Sequence, residues 1–181
     1  GFLTSALKLE DFFTPNYLFD FFAELHGIDP AVAAERKSQM FGRFCIDKFA
    51  DVKVANLSTG MKQKVPIVIS ILHDPELVIF DEPTNGLDVL TARVVTDFLQ
   101  ELRQQGKTII LITHFMEEAA QADRIIVMSN GKVALDGTPT EVFSEADRLE
   151  ALKLELPFAV ELAEKLRAAG LNIPKGIVSE K

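Results

Sequence analysis

Leu77-Val78-Ile79-Phe80-Asp81-Glu82-Pro83-Thr84-Asn85-Gly86-Leu87-Asp88 is the stretch that decides the fold. Four consecutive apolar residues bounded by turn formers make the pattern of a strand buried on both faces. The run ends on two carboxylates, and open α/β sheets bind ligands at the C-terminal ends of their strands. Metal-assisted phosphoryl transfer needs one carboxylate near Mg²⁺ and one group that orients or deprotonates the attacking water. Asp81 suits the first role and Glu82 the second. The apolar run and its two acids, taken alone, would equally be a capped strand end with solvated carboxylates. The Pro-Thr-Asn-Gly-Leu-Asp that follows favours the chemical reading.

Downstream of this stretch, helices alternate with short apolar strands. A helix from about Val89 to Gln104 is closed by Gly106, and TIILIT (108–113) is the next strand. A short helix over 115–122 leads to RIIVMS (124–129), and Asn130-Gly131 reads as a tight hairpin turn into KVALDG (132–137). Apolar strands separated by helices argue for a parallel sheet covered on both faces. TPTEVF (138–143) opens a terminal helical section. An amphipathic helix over 157–170 stops at Gly170, and the tail after Pro174 is expected to fray. Upstream, Leu18, Phe21, Phe22 and Leu25 fall at helical spacing within 15–27, with Gly27 as the stop. Asp29-Pro30 reads as an N-cap and first-turn proline for a second helix through about Phe41.

Two further segments carry chemistry. In LSTGMKQK (57–64), Ser58 is a good N-cap and Gly60 lets a phosphate approach the N–H groups of the first turn, so the helix aims its positive end at an anion. Any capped helix could read this way. Its place some twenty residues before Asp81-Glu82 favours the anion reading. His114, just beyond TIILIT, sits where an imidazole can touch a terminal phosphate and sense its presence. His26 and His73 read as ordinary helix-end residues. Pro66 lies inside the helix that Ser58 opens, and an interior proline costs roughly 3 kcal/mol unless the helix kinks, so a kink is expected near 62–66.

Composition narrows the function classes. The chain has 181 residues, 48% of them apolar, enough for one domain with a substantial core. A net charge of −8 argues against a nucleic-acid surface, which needs clustered Lys and Arg. The single cysteine, Cys45, excludes a disulfide within the chain and fits a reducing compartment. No apolar run approaches the ~18–20 residues of a membrane-spanning helix, so a membrane role would work through a partner. The start has no secretion-signal pattern. Because it begins with Gly1, the chain reads as a fragment or processed form.

The segments together resemble the ATP-binding-cassette (ABC) ATPases. Leu57-Ser58-Thr59-Gly60-Met61 looks like the family signature and IFDEP (79–83) like its Walker B strand with the catalytic glutamate. NGLD (85–88) is similar to its D-loop, and ITH (112–114) to its switch region. The resemblance implies an α/β fold that is part of a P-loop NTPase. A helical signature subdomain (1–75) would precede the rear of a RecA-like ATPase core (76–145) and a C-terminal helical extension (146–181). It implies ATP and Mg²⁺ as cofactors. Ser58, Thr59, Gly60 and Met61 would bind a γ-phosphate across a dimer interface. Asp81 would hold Mg²⁺ through water, Glu82 would polarise the attacking water, His114 would act beside it, and Asp88 would link the two sites. Implied partners are a second ABC ATPase subunit and transmembrane permease subunits, with no nucleic acid, at the cytoplasmic face of the membrane. Met61 departs from the family's usual glutamine, although drug- and sodium-exporter ATPases also read S-T-G-M.

The loop G-x-x-x-x-G-K-[S/T], which wraps nucleotide phosphates, does not occur in the chain. Its nearest match, Gly106-Lys107-Thr108, follows Glu101 where a glycine is needed and lies between helix and strand. The family's Q-loop glutamine should fall near Thr4 or Ser5, and neither is glutamine. Isolated chain is therefore expected to bind ATP negligibly, while a heterodimer could place Ser58 and Gly60 against a partner's ATP. Residues 15 to about 95 resemble sodium- and drug-exporter ATPases. From about 107 onward, including LPFAVELAEKLRAAGLNIP (156–174), the chain resembles energy-coupling-factor importers. A permease would dock near residues 10–50, where Phe12, Phe13, Phe19, Phe21, Phe22, Phe41, Phe44 and Phe49 cluster. Alternatives are a non-catalytic subunit that completes a partner's site, or a soluble ABC ATPase not tied to transport.

Overall fold

The computed structural model describes residues 1–3 and 11–174; Thr4, Ser5 and the tail after Pro174 lie outside the described residues. The chain divides into two compact units, Gly1–Ile112 and the part from Thr113 onward.

The first unit opens with strand β1 (Phe2–Leu3) and helix α1 (Pro15–Leu25). The Thr14 hydroxyl accepts from the Tyr17 N–H, Pro15 takes the first helical position, and Gly27 beyond the end has φ +65°. Helix α2 (Pro30–Phe44) is capped by the Asp29 carboxylate, which accepts from the Ala31 and Val32 N–H groups. It runs three residues past the expected end at Phe41, through Gly42. Phe41 and Phe44 are both buried, and burying such side chains outweighs the roughly 1 kcal/mol that a helical glycine costs. Cys45, left-handed at φ 55°, ends it.

Helix α3 (Thr59–Ile71) starts at Ser58 and continues as one α-helix through Pro66. The proline removes the donor to the Lys62 carbonyl without ending the element. Every residue from Val65 to Ile71 is buried, so packing on all sides holds this turn. Strand β2 (Leu77–Asp81), helix α4 (Val89–Gln104) and strand β3 (Thr108–Ile112) follow at the expected places. The three strands form a parallel sheet in the order β1-β2-β3, with Phe80 opposite Leu111 and Asp81 opposite Ile112. One face of this sheet (Leu3, Val78, Phe80, Ile109, Leu111) belongs to a core shared with α1 to α4. On the other face Phe2, Leu77, Ile110 and Ile112 remain exposed, so the expected covering of both faces is not met among the described residues.

In the second unit, helix α5 (Met116–Ala119) precedes strands β4 (Ile125–Ser129) and β5 (Lys132–Gly137). β4 pairs antiparallel with β5 across the expected Asn130-Gly131 turn, but the two strands form a sheet of their own and not part of the parallel sheet. The reason for the pairing is local. Asn130 and Gly131, at φ 50° and 72°, make a turn whose twist matches an antiparallel hairpin. Helix α6 (Pro139–Phe143) has a complete capping box between Thr138 and Glu141. Helices α7 (Ala146–Ala151) and α8 (Phe158–Ala168) complete the unit. Val127, Leu135, Phe143, Leu149 and Val160 form its core.

Candidate functional site

Strand β2 carries its apolar residues into the core and delivers Asp81 at its C-terminal end, half-buried. At Glu82 the backbone turns to φ 49°, a left-handed conformation unusual for a side chain with a Cβ. Its N–H still donates to the Ile112 carbonyl at 2.8 Å, extending the sheet contact by one residue. Its carbonyl accepts from the Asn85 N–H at 3.1 Å, and its Oε2 accepts from Asn85 Nδ2 at 3.0 Å. Such a backbone costs about 1–3 kcal/mol, and strain of this kind clusters at functional sites. Thr84 is buried beneath the turn, and Gly86 supplies a second left-handed residue at φ 73°.

The loop ends at Asp88, which caps α4 by accepting from the Thr91 N–H at 3.0 Å. Hydrogen bonds from the Thr91 backbone and then its side chain hold the Asp88 carboxyl below the usual carboxylate range. Ser58 caps α3 with a longer bond, 3.4 Å from the Met61 N–H, which leaves its hydroxyl proton free to serve another acceptor. The first turns of α3 and α4 lie side by side. A Cβ built on Gly60 would sit 3.7 Å from Leu87 Cδ2 and 3.9 Å from Asp88 Oδ2, ordinary contact distances. The fold itself therefore does not demand a glycine at position 60.

Gln63 joins the two segments. Its Nε2 donates to the Asn85 carbonyl at 2.5 Å, and its Oε1 is buried with no partner among the described residues. The structure thus brings Ser58, Gly60 and Asp88 together, and ties Glu82 to the same loop through Asn85. Thr59 and Met61 lie in the first turn of α3, with Met61 packed against the core. His114 belongs to the second unit. It is exposed, its ring lies 4.2 Å from that of Phe115, and the Phe115 N–H donates to Thr113 Oγ1. Sequence reasoning missed Gln63 and Asn85 as site residues. The available signal was a polar residue one turn inside a helix whose later turns are almost wholly apolar, Ser70 excepted.

The donor set can be compared with the ions it would meet. Among the described residues no group of three or more His, Cys, Asp or Glu could cage a metal. Mg²⁺ takes one or two carboxylates and fills its octahedron with phosphate oxygens and water. Asp81 therefore suits a metal that arrives with a nucleotide. The thirteen-residue helix α3 presents N-terminal N–H groups and the Ser58 hydroxyl to an anion.

A parallel sheet with flanking helices and acidic residues at a strand's C-terminal end is the arrangement of an open α/β protein with a ligand site at that end, as in the P-loop NTPases. Known proteins agree. Residues 18–118, more than half of the chain, match the family model described as "AAA domain, putative AbiEii toxin, Type IV TA system". The energy-coupling factor transporter ATP-binding protein EcfA1 of Caldanaerobacter subterraneus subsp. tengcongensis is 42% identical over 84% of this chain and 56% of its own length. The protein of the same name from Clostridium novyi is 39% identical over 84% of this chain and 55% of its own. A solved structure described as the ATP binding subunit of an ABC transporter superposes with a TM-score of 0.73. It is 28% identical and covers 81% of this chain and 61% of its own. The chain belongs to this family of ATPases, among the ATP-binding subunits of ABC transporters. It spans about half the length of the curated relatives it matches. An alignment over 84% of the chain cannot be confined to residues after Gly106, so the likeness to energy-coupling-factor ATPases reaches into the front part as well. No described helix is long and apolar enough to cross a membrane.

Proposed function

We propose that this chain is the signature- and Walker B-bearing part of an ABC transporter ATPase, coupling hydrolysis of ATP to movement of a solute by permease subunits. The observation that carries the reading is the turn at Asp81-Glu82. Two carboxylates stand at the C-terminal end of a core strand, the second in a strained backbone held by Ile112 and Asn85. Asp81 would hold Mg²⁺ through water, and Glu82 would orient and polarise the water that attacks the γ-phosphate. His114 would sense that phosphate. The bound nucleotide and its metal supply the charge and the leaving group; the chain supplies orientation and the acceptor for the water's proton.

Ser58, Thr59, Gly60 and Met61 would face the γ-phosphate of ATP held by a second ATPase subunit, with Asp88 beside them at the junction of the two sites. A permease would meet α1. Phe12, Tyr17, Phe21 and Leu25 are exposed by 48–68%. The ring of Phe13, just before the helix, and those of Tyr17 and Phe21 within it stack at 4.6 and 6.3 Å. Phe19, Phe41 and Phe44 are core, so the partly exposed aromatic patch that docking requires is confined to this stretch and to Phe49. Such a subunit works at the cytoplasmic face of a membrane. The partnership between ATPase subunits is tested by Gly60→Ala, since a Cβ at position 60 meets only ordinary contact distances within the chain but would stand where a phosphate approaches. Sedimentation of the chain with an ATPase subunit carrying an intact phosphate loop should show association dependent on ATP and Mg²⁺, lost in the variant. Equal association of wild type and variant would overturn the reading.

A further inference from the structure

We propose that Gln63 is a positioning residue for Glu82, acting through Asn85. The inference rests on the reading of Glu82 as the water-orienting group and adds how it is held. Three bonds make the chain of contact: Gln63 Nε2 to the Asn85 carbonyl at 2.5 Å, Asn85 Nδ2 to Glu82 Oε2 at 3.0 Å, and the Asn85 N–H to the Glu82 carbonyl at 3.1 Å. The direction of the first bond is fixed by chemistry. A carbonyl only accepts, so the Gln63 amide must turn its NH₂ to Asn85. That orientation leaves its oxygen buried with no partner among the described residues. Leaving that oxygen without a partner is a cost to the fold, against which stands the bond that Gln63 makes to the loop.

The geometry shows what that bond holds in place. Asn85 lies between two left-handed residues, Glu82 at φ 49° and Gly86 at φ 73°, and is itself exposed, whereas Pro83 and Thr84 before it are buried. Gln63 Nε2 also lies 3.7 Å from the point a Cβ on Gly86 would occupy. It therefore pins the loop at the residue whose side-chain amide grips Glu82. The pin stands on α3, one turn beyond Ser58 and Gly60. An ordering or shift of that first turn by a phosphate is thereby passed to the Glu82 carboxylate. The tie links the segment that would serve one nucleotide to the group that would serve another.

The test uses the whole chain and side-chain NMR. Gln63→Glu keeps the shape and removes the donor, and Gln63→Met removes both polar atoms. In both, the three-bond couplings of the Glu82 side chain should collapse to rotamer-averaged values. Solvent exchange of the Asn85 side-chain NH₂ should rise about tenfold, the scale of one lost hydrogen bond. Amide resonances of α4 report whether the fold persists, and they should stay in place. Unchanged Glu82 couplings and Asn85 exchange in folded Gln63→Glu would overturn the proposal. This readout needs no hydrolysis. It is therefore decided separately from the role of Glu82 itself, which rests on the effect of Glu82→Gln on turnover.

Discussion

The left-handed backbone at Glu82 makes an inverted order of stability at one position. At ordinary strand and helix sites, glycine is less stable than alanine by roughly 0.5–1 kcal/mol because it loses more backbone freedom on folding. At φ 49° any residue with a Cβ carries a conformational cost of roughly 1–2 kcal/mol that glycine escapes. Glu82→Ala and Glu82→Gly both delete the carboxylate and its bond from Asn85. Their difference therefore isolates the backbone. Subtracting glycine's entropy loss from the strain it relieves leaves the glycine variant ahead by up to about 1.5 kcal/mol, and by about 1 kcal/mol near the middle of the range, a reversal of the usual order. For a chain of this size that is about 2–4 °C in Tm. The chain holds one tyrosine and no tryptophan. Tyr17 fluorescence thus reports unfolding of the unit that contains Glu82, and urea titrations of the two variants give the difference directly. An alanine variant as stable as the glycine variant, or more so, would refute the claim that strain is stored at this turn.

Two other substitutions test the packing and the charge balance. Phe44 is fully buried, with the Phe98 ring edge-on at 5.2 Å. Phe44→Ala should lower stability in urea by about 3–5 kcal/mol, and a loss below about 1 kcal/mol would place this ring outside the core. His73 stacks on His26 at 4.2 Å, and burial, then the His26 charge, lowers its pKa from the ordinary 6.5. The unfolded imidazole gains its proton at higher pH than the folded one. Stability should therefore fall as pH drops below 6.5, until the folded ring protonates as well. His73→Phe should flatten that slope in urea midpoints measured between pH 7 and 5; an unchanged slope would assign it elsewhere.

Much of this molecule is legible in its sequence because the signals are local. Capping at Asp29 and Ser58, the stops at Gly27, Gly106 and Gly170, and the Asn130-Gly131 turn each involve residues within a few positions of one another. What escaped is non-local or conformational. The pairing of Phe2-Leu3 with β2 joins residues 77 positions apart, Phe2 with Ile79, through a two-residue strand that carries no periodicity of its own. The grouping of β4 with β5 alone depends on which edge of a strand finds a partner, which an apolar run does not encode. At the site, Asp81, Glu82, Ser58 and Asp88 could be named from their motifs. The bond from Gln63 to Asn85 spans 22 residues and exists only once α3 packs beside the loop. The strain at Glu82 was likewise invisible, because a glutamate in a motif says nothing of its φ.

The central claim is that Glu82 orients the water that hydrolyses ATP. Its most direct test joins this chain, at its amino end, to the phosphate-loop part of an energy-coupling-factor relative and measures steady-state ATP hydrolysis with Mg²⁺ before and after Glu82→Gln. Losing a positioned general base typically costs about 10²–10⁴ in rate. The expected result is turnover in the joined protein that falls by at least about 10² in the glutamine variant while nucleotide binding persists. Turnover within a few-fold of wild type in Glu82→Gln would contradict the account.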